Sequence, residues 1–158
     1  MRRSHSVSEM KKLLARRADS DLLAQVVLAR LKEGGKLDDA RYAKQFVRQR
    51  TEIRRQGKFR IMRDLRARGV PDRHIEAAIK SVSADKADSV ADEASLIRHR
   101  IDRKRKLLRG EIDDKKIASL YRSLLRAGFS SDAIRRELKS LTSKDLPEIP
   151  VTGGEETS

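Results

Sequence analysis

Ile61-Met-Arg-Asp-Leu-Arg-Ala-Arg-Gly69-Val70-Pro-Asp-Arg-His-Ile75-Glu-Ala-Ala-Ile79 returns later in the chain as Leu120-Tyr-Arg-Ser-Leu-Leu-Arg-Ala-Gly128-Phe129-Ser-Ser-Asp-Ala-Ile134-Arg-Arg-Glu-Leu138. The main apolar positions of the first stretch are apolar in the second, and glycine matches glycine. A fainter copy, from Met10 to Leu28, precedes the first stretch and has lost the glycine. Internal repetition with matching residues at a constant offset predicts an array of stacked structural units.

Each copy has the pattern of a helix, a tight stop and a second helix. Ile61 and Leu65 are four residues apart, which places them on one helical face. Gly69 can adopt the left-handed conformation that ends a helix, and Val70 then precedes the next helix. In the last copy Ser130 is the predicted N-cap, with Phe129 and Ile134 as the hydrophobic staple around it.

A third helix is predicted before the central pair. Leu37-Asp38-Asp39 offers an N-cap, and the residues that follow divide into two faces. The apolar face consists of Tyr42, Ala43, Phe46, Val47 and Ile53. The opposite face carries Arg41, Lys44, Arg48 and Arg55. A similar leading helix is expected within residues 84–108, so the chain is predicted to be all-α, an elongated array of three tandem three-helix repeats.

These patterns set the expected domain boundaries. Residues 1–36 form a degenerate first repeat, 37–83 a central basic repeat, 84–142 a third repeat, and 143–158 a flexible tail rich in proline, glycine and acidic residues. With 39% charged and 3% aromatic residues, the composition suits amphipathic helices around thin cores. The predicted core includes Tyr42, Phe46, Leu65, Ile75, Leu124 and Phe129.

The net charge of +14 is concentrated in two segments. Residues 41–73 hold 12 basic residues against three acidic ones, and residues 98–109 hold seven against one. Arginine and lysine are strong helix formers, so a solvated outer face could explain any single one of them. A net charge of +9 in the first of these segments costs self-repulsion, however, which favours a negatively charged partner.

We therefore predict a binding surface in two parts. The first part is Arg41, Lys44, Arg48, Arg55, Arg60, Arg63 and Arg66. The second part is Arg98, Arg103, Lys104, Arg105 and Lys106. Nucleic acid phosphates and acidic protein surfaces are both attracted by such a field.

The sequence offers little for catalysis. It contains no cysteine, and its three histidines, His5, His74 and His99, lie far apart. Adjacent carboxylates such as Asp38-Asp39 are ordinary helix caps. We expect a protein without enzymatic activity, cofactor or metal. Since no signal-peptide core and no apolar run of membrane length is present, we also expect a cytoplasmic protein that does not bind a membrane.

Several motifs are similar to those of the RecX family of recombination regulators. Gly35-Lys-Leu-Asp-Asp-Ala-Arg-Tyr-Ala43, followed by Gly57-Lys-Phe-Arg-Ile61 and by Leu65 through Ile79, resembles the central repeat of that family. Residues 123–138 resemble its C-terminal repeat, and residues 9–31 its first. The resemblance spans residues 6–141.

The resemblance implies a curved helical array that lies in the groove of the RecA filament on single-stranded DNA. Members of the family limit filament growth and suppress ATP hydrolysis, strand exchange and repressor cleavage. The implied partner is therefore a RecA-type recombinase filament, with single-stranded DNA nearby or in contact, and the protein is expected to act as a monomer. The alternative hypothesis is a basic helical module that binds DNA or RNA directly. A hidden enzyme is a third hypothesis, but the sequence offers no nucleophile, base or metal cluster in mutual reach.

Overall fold

The computed structural model describes residues 4–84, 93–107 and 113–140, and every regular element within these ranges is a helix. The all-α prediction is confirmed. The eight helices are α1 (Val7–Ala15), α2 (Asp21–Glu33), α3 (Asp39–Glu52), α4 (Lys58–Ala67), α5 (Asp72–Ala84), α6 (Glu93–Arg105), α7 (Asp114–Arg126) and α8 (Ser131–Lys139). The predicted tail, residues 143–158, lies outside the described residues.

The repeat pattern corresponds to equivalent helices. Helices α2, α5 and α8 begin at matching positions of the three copies, Asp21, Asp72 and Ser131. Gly69 and Gly128 have φ values of +71° and +88°, so both stop their helices in the left-handed conformation. After each glycine, the next backbone N–H donates to a carbonyl five residues back, Val70 to Leu65 and Phe129 to Leu124. Both turns, which we call the glycine corners, are Schellman motifs, and the left-handed glycine expected from the sequence is present in each.

The second and third units each enclose a core of their own. Helices α3, α4 and α5 bury Tyr42, Ala43, Phe46, Val47, Ile61, Leu65, Val70, Ile75, Ala78 and Val82. Helices α6, α7 and α8 bury Ile97, Ile101, Ile117, Leu120, Tyr121, Leu124, Ala127, Phe129, Ala133, Ile134 and Leu138. All six residues singled out as core in the sequence are buried.

The first unit differs from the other two. Within residues 4–36 it contains two helices, α1 and α2, where a three-helix repeat predicts three. Neither α1 nor α2 has a buried residue, because no described helix covers α2 in the way that α3 covers α5. Leu22 and Leu23 of α2 are 72% and 48% exposed.

Helix caps account for most of the element boundaries. The carboxylate of Asp38 accepts hydrogen bonds from the backbone N–H groups of Ala40 and Arg41. Ser6 and Glu9 form a complete capping box at α1. The cap of α8 differs from the prediction: Ser130 is the N-cap, but its hydroxyl makes no bond to its own helix and donates to Glu93 of α6 over 2.9 Å.

Successive units are joined through the glycine corners. The N–H of Gly57, just before α4, donates to the carbonyl of Ala127 over 2.9 Å, and the N–H of Phe59 donates to Gly128. At the equivalent joint between the first and second units, the Ser6 hydroxyl donates to the carbonyl of Arg68 over 2.6 Å. At both joints, therefore, the residues just before one helix contact the turn between two helices of the following unit.

Candidate binding surfaces

The first predicted cationic face is present on α3. Arg41, Lys44 and Arg48 are exposed, while Tyr42 and Phe46 on the other side of the helix are buried. Arg48 pairs with Glu52 one turn later over 3.9 Å, with about half of each side chain exposed. An exposed pair of this kind leaves most of the guanidinium accessible to a partner.

Two residues assigned to α3 from the sequence lie beyond its end. The helix ends at Glu52, and the helical spacing that placed Arg55 on the cationic face no longer applies to that residue. Ile53, the C-cap, keeps helical φ and ψ angles but is 74% exposed, so it is not part of the buried apolar face. Arg55 occupies a turn with φ of +48° instead of the outer face of the helix.

Arg60 lies at a joint between units. Its Nη1 donates to the carbonyl of Arg126 over 3.1 Å, and its Nε is buried without a hydrogen-bond partner among the described residues. A methyl group on Gly128 would collide with the Cβ of Arg60, so the side chain leaves the helix against the third unit. Arg60 is therefore half-buried and does not extend an open cationic face.

Arg63 and Arg66 of α4 are exposed. Arg66 donates through Nε to the carboxylate of Asp72 over 2.7 Å, which links α4 to the first turn of α5.

In the second predicted group, Arg98 pairs with Glu137 of α8 over 3.3 Å. Arg103, Arg105 and Lys106 are exposed and Lys104 is half-buried. The predicted residues thus occupy several faces.

A cleft that the sequence did not indicate lies between α3 and the α4–α5 corner. Its charged members are Arg50, Arg54 and Arg68, and its other lining residues are Ser4, Tyr42, Gln45, Phe46 and Gln49. The guanidinium groups of Arg50 and Arg68 lie 4.7 Å and 5.3 Å from the centre of the Phe46 ring. Arg68 also pairs with Glu9 over 2.7 Å. We name this the α3 cleft.

A second cleft lies where the second unit meets the third. Its basic lining residues are Arg54, Arg55, His99, Arg100, Arg103 and Lys104, and its apolar ones include Ile53, Leu107, Leu120 and Leu124. Arg100 donates through Nε to the Arg55 carbonyl over 2.8 Å and through Nη2 to the Arg54 carbonyl over 2.9 Å. We name this the joint cleft. Arg54 lines both clefts.

The arginines of these clefts raise one another's electrostatic energy. Burial lowers the pKa of Arg50, the neighbouring Arg54, Arg68 and Arg60 lower it further, and Asp64 opposes this. Burial also lowers the pKa of Arg100, and Arg60 and Arg103 add to the effect. Guanidinium groups nevertheless stay protonated at neutral pH. The result is a closely spaced group of partly desolvated positive charges.

Sequence reasoning missed Arg50, Arg54 and Arg100 as candidate site residues. One local signal was available for Arg50, which follows Phe46 by one helical turn and therefore lies beside its ring. Arg100 is 45 residues from the carbonyl it contacts, so no local pattern could place it. Among the described residues there is no group of three or more metal-ligating side chains, and no helix is long and apolar enough to cross a membrane.

Helical units in tandem, each joined to the next between the start of a helix and a glycine turn, define an all-α repeat protein. The family model described as "RecX, second three-helix domain" matches residues 38–79. A "Regulatory protein RecX" of Prosthecochloris aestuarii is 31% identical over 88% of this chain and 85% of its own length. One of Halorhodospira halophila is 36% identical over 85% of this chain and 78% of its own length. The chain therefore belongs to the RecX family.

Solved structures agree on the fold. The crystal structure of RecX from Lactobacillus salivarius matches with a TM-score of 0.70 at 19% identity, covering 88% of this chain and 86% of that one. A second crystal structure of regulatory protein RecX matches with a TM-score of 0.72 at 20% identity, covering 87% and 66%. The family expected from the central motifs is confirmed.

Proposed function

We propose that this protein binds the filament that a RecA-type recombinase forms on single-stranded DNA and restrains its ATPase, strand exchange and repressor cleavage. The observation that carries the proposal is membership of the RecX family over nearly the whole chain. The exposed cationic face of α3 also supports the proposal. The filament is a helical, negatively charged target, and an array of helical units can extend along it. No enzymatic step is needed for such a role, and we propose that a monomer is the active form.

The direct test is an ATPase assay of the cognate recombinase on single-stranded DNA, with this protein added below the recombinase concentration. We expect ATP hydrolysis to fall steeply, because one bound regulator prevents the filament from adding many further recombinase protomers. Filament length, measured by electron microscopy, should fall in parallel. Unchanged hydrolysis and unchanged length would exclude the proposed function.

The α3 face can be tested by charge reversal. The variant Arg41→Glu/Arg48→Glu should lose inhibition, since both side chains are exposed and opposite the core. Lys11→Glu/Lys12→Glu changes the net charge equally on exposed positions of α1 and serves as the control. If both variants fold by circular dichroism and inhibit equally, the contact surface lies elsewhere.

A second candidate function is direct binding of nucleic acid, favoured by the α3 and joint clefts. It predicts tight binding to DNA without recombinase and an affinity that falls steeply with salt. Binding that is weak to bare DNA but strong to the filament would favour the first function.

A further inference from the structure

The α3 cleft and the joint cleft form one basic surface across the boundary between the second and third units. Arg54 lines both, so the two clefts meet at its side chain. Neither lining contains an aspartate or glutamate among the described residues. Glu9 pairs with Arg68 from outside the lining, and Asp64 acts on Arg50, so the carboxylates near the clefts lie outside their linings.

The shared turn is held in place by the third unit. The two hydrogen bonds from the Arg100 guanidinium to the carbonyls of Arg54 and Arg55 fix the backbone from which the Arg54 side chain leaves. Arg55 takes a left-handed conformation although it is not glycine, with φ of +48°. Such a conformation costs free energy and persists only when the surroundings impose it. Arg54 is thus presented by a constrained turn, which lowers the entropy lost on binding.

The chemistry of the lining favours phosphate. Guanidinium forks bind phosphate oxygens through paired hydrogen bonds, and side-chain amides such as Gln45 and Gln49 commonly contact phosphate and sugar. The Phe46 ring is buried beneath the guanidinium groups of Arg50 and Arg68, and the Tyr42 ring is buried as well, so bases cannot stack on either. A strand held here would be bound by its backbone, without regard to sequence.

We propose that the α3 cleft and the joint cleft together bind the sugar-phosphate backbone of a single nucleic acid strand, with Arg54 contacting it at the centre. Binding places anionic oxygens among the mutually repelling guanidinium groups and relieves their repulsion. The strand would bridge the second and third units. The proposal deepens the proposed function, since a regulator seated on a filament lies near such a strand.

The test measures binding of fluorescent oligo(dT) to the full chain without recombinase, by anisotropy over a salt series. Arg54→Gln/Arg103→Gln removes two exposed cleft guanidiniums and leaves the Arg54 carbonyl to bond Arg100. We expect affinity to fall about tenfold and the slope of log K against log salt to drop by roughly 1.4, or about 0.7 for each lost phosphate contact.

The matched control is Arg135→Gln/Arg136→Gln, which removes the same charge from exposed positions of α8 outside both clefts. Its affinity should change less than threefold. Equal losses in the two variants would mean that binding follows net charge, and no measurable binding to oligo(dT) would also overturn the proposal. Poly-glutamate that competes as well as oligo(dT) at equal charge would assign the clefts to an acidic protein segment.

The outcome is independent of the ATPase test. A cleft variant that loses DNA affinity in a protein that never inhibits the recombinase would leave the cleft assignment standing and exclude the regulator function. Full inhibition by a chain that does not bind bare DNA would do the reverse.

Discussion

Gly57 and Gly128 meet across the joint between the second and third units. A methyl group on Gly57 would collide with the carbonyl of Gly128, and one on Gly128 would collide with Arg60. Gly128 additionally has a φ of +88°, whereas Gly57 has an ordinary φ of −74°. Glycine at 128 is therefore required twice, for the turn and for the close approach.

Gly128→Ala should destabilise the protein by about 3 kcal/mol, of which roughly 1 kcal/mol comes from the left-handed backbone and the remainder from the collision at the joint. Gly35→Ala is the control, because Gly35 has a φ of +63° with open space around its Cα. It should cost only the first contribution. Urea unfolding followed by circular dichroism measures both, and equal losses would show that the joint accommodates a methyl group.

The sequence predicted residues correctly where the cause is local. The left-handed turns at Gly69 and Gly128 follow from a pattern of apolar residues within one turn of each glycine. Ile53 follows the helical spacing but is 74% exposed, because spacing predicts the direction of a side chain and not whether another element covers it. The direction of Arg60 depends on a carbonyl 66 residues away, which no local pattern contains.

Helix α2 is apolar on more than one side. Leu22, Leu23 and Val26 are exposed, at positions where the equivalent helix α5 carries Arg73, His74 and Ala77. Helix α5 buries Ile75, Ala78 and Val82, whereas α2 buries no residue. The two helices have the same length and register but very different burial.

We expect the backbone amides of α2 to exchange with solvent at least about tenfold faster than those of α5, after correction for intrinsic rates. Local opening is easiest where few apolar contacts are lost. Hydrogen–deuterium exchange with mass spectrometry resolves the two helices, and α5 is an internal control of equal length. Equal protection would indicate that α2 is covered in solution.

At the scale of the helices, the sequence predicts which segments are helical, because the apolar periodicity and the N-cap residues indicate the same segments. Asp38 caps α3 as predicted, and Asp113 caps α7 in the same way. Ser130 is the N-cap of α8 as predicted, but the partner of its hydroxyl could not be foreseen, because Glu93 lies 37 residues away and accepts that hydrogen bond.

The net charge of +14 acts on the whole molecule. Raising salt from about 0.01 M to about 0.15 M shortens the screening length from roughly 30 Å to roughly 8 Å and weakens the repulsion between units. We expect Tm to rise by roughly 4 °C, equivalent to about 1 kcal/mol. Arg41→Glu/Arg63→Glu lowers the net charge by four, so its Tm should rise less. A Tm that falls with salt in thermal melts would show that attractive ion pairs dominate.

The sequence indicated the sign and the approximate location of the positive field, but not its arrangement. Arg54 lies within the basic segment, but the sequence does not single it out as a binding residue, because its position depends on Arg100 of the next unit. The sequence places Arg48, Arg60 and Arg66 in the first part of the predicted binding surface. In the structure Arg48 lies on an exposed helix face, Arg60 lies at a joint between units, and Arg66 forms an ion pair with Asp72.

Both joints use main-chain acceptors, the carbonyls of Arg68 and Ala127, which every amino acid supplies. Substitutions can therefore accumulate at the acceptor positions while the register of the units is preserved, whereas Gly57, Gly128 and Arg100 are constrained by the second joint. This explains how chains that share only 19% of their residues can superimpose with a TM-score of 0.70. It also means that a copied unit would dock on its predecessor without a newly evolved interface, which makes lengthening by duplication an easy evolutionary step.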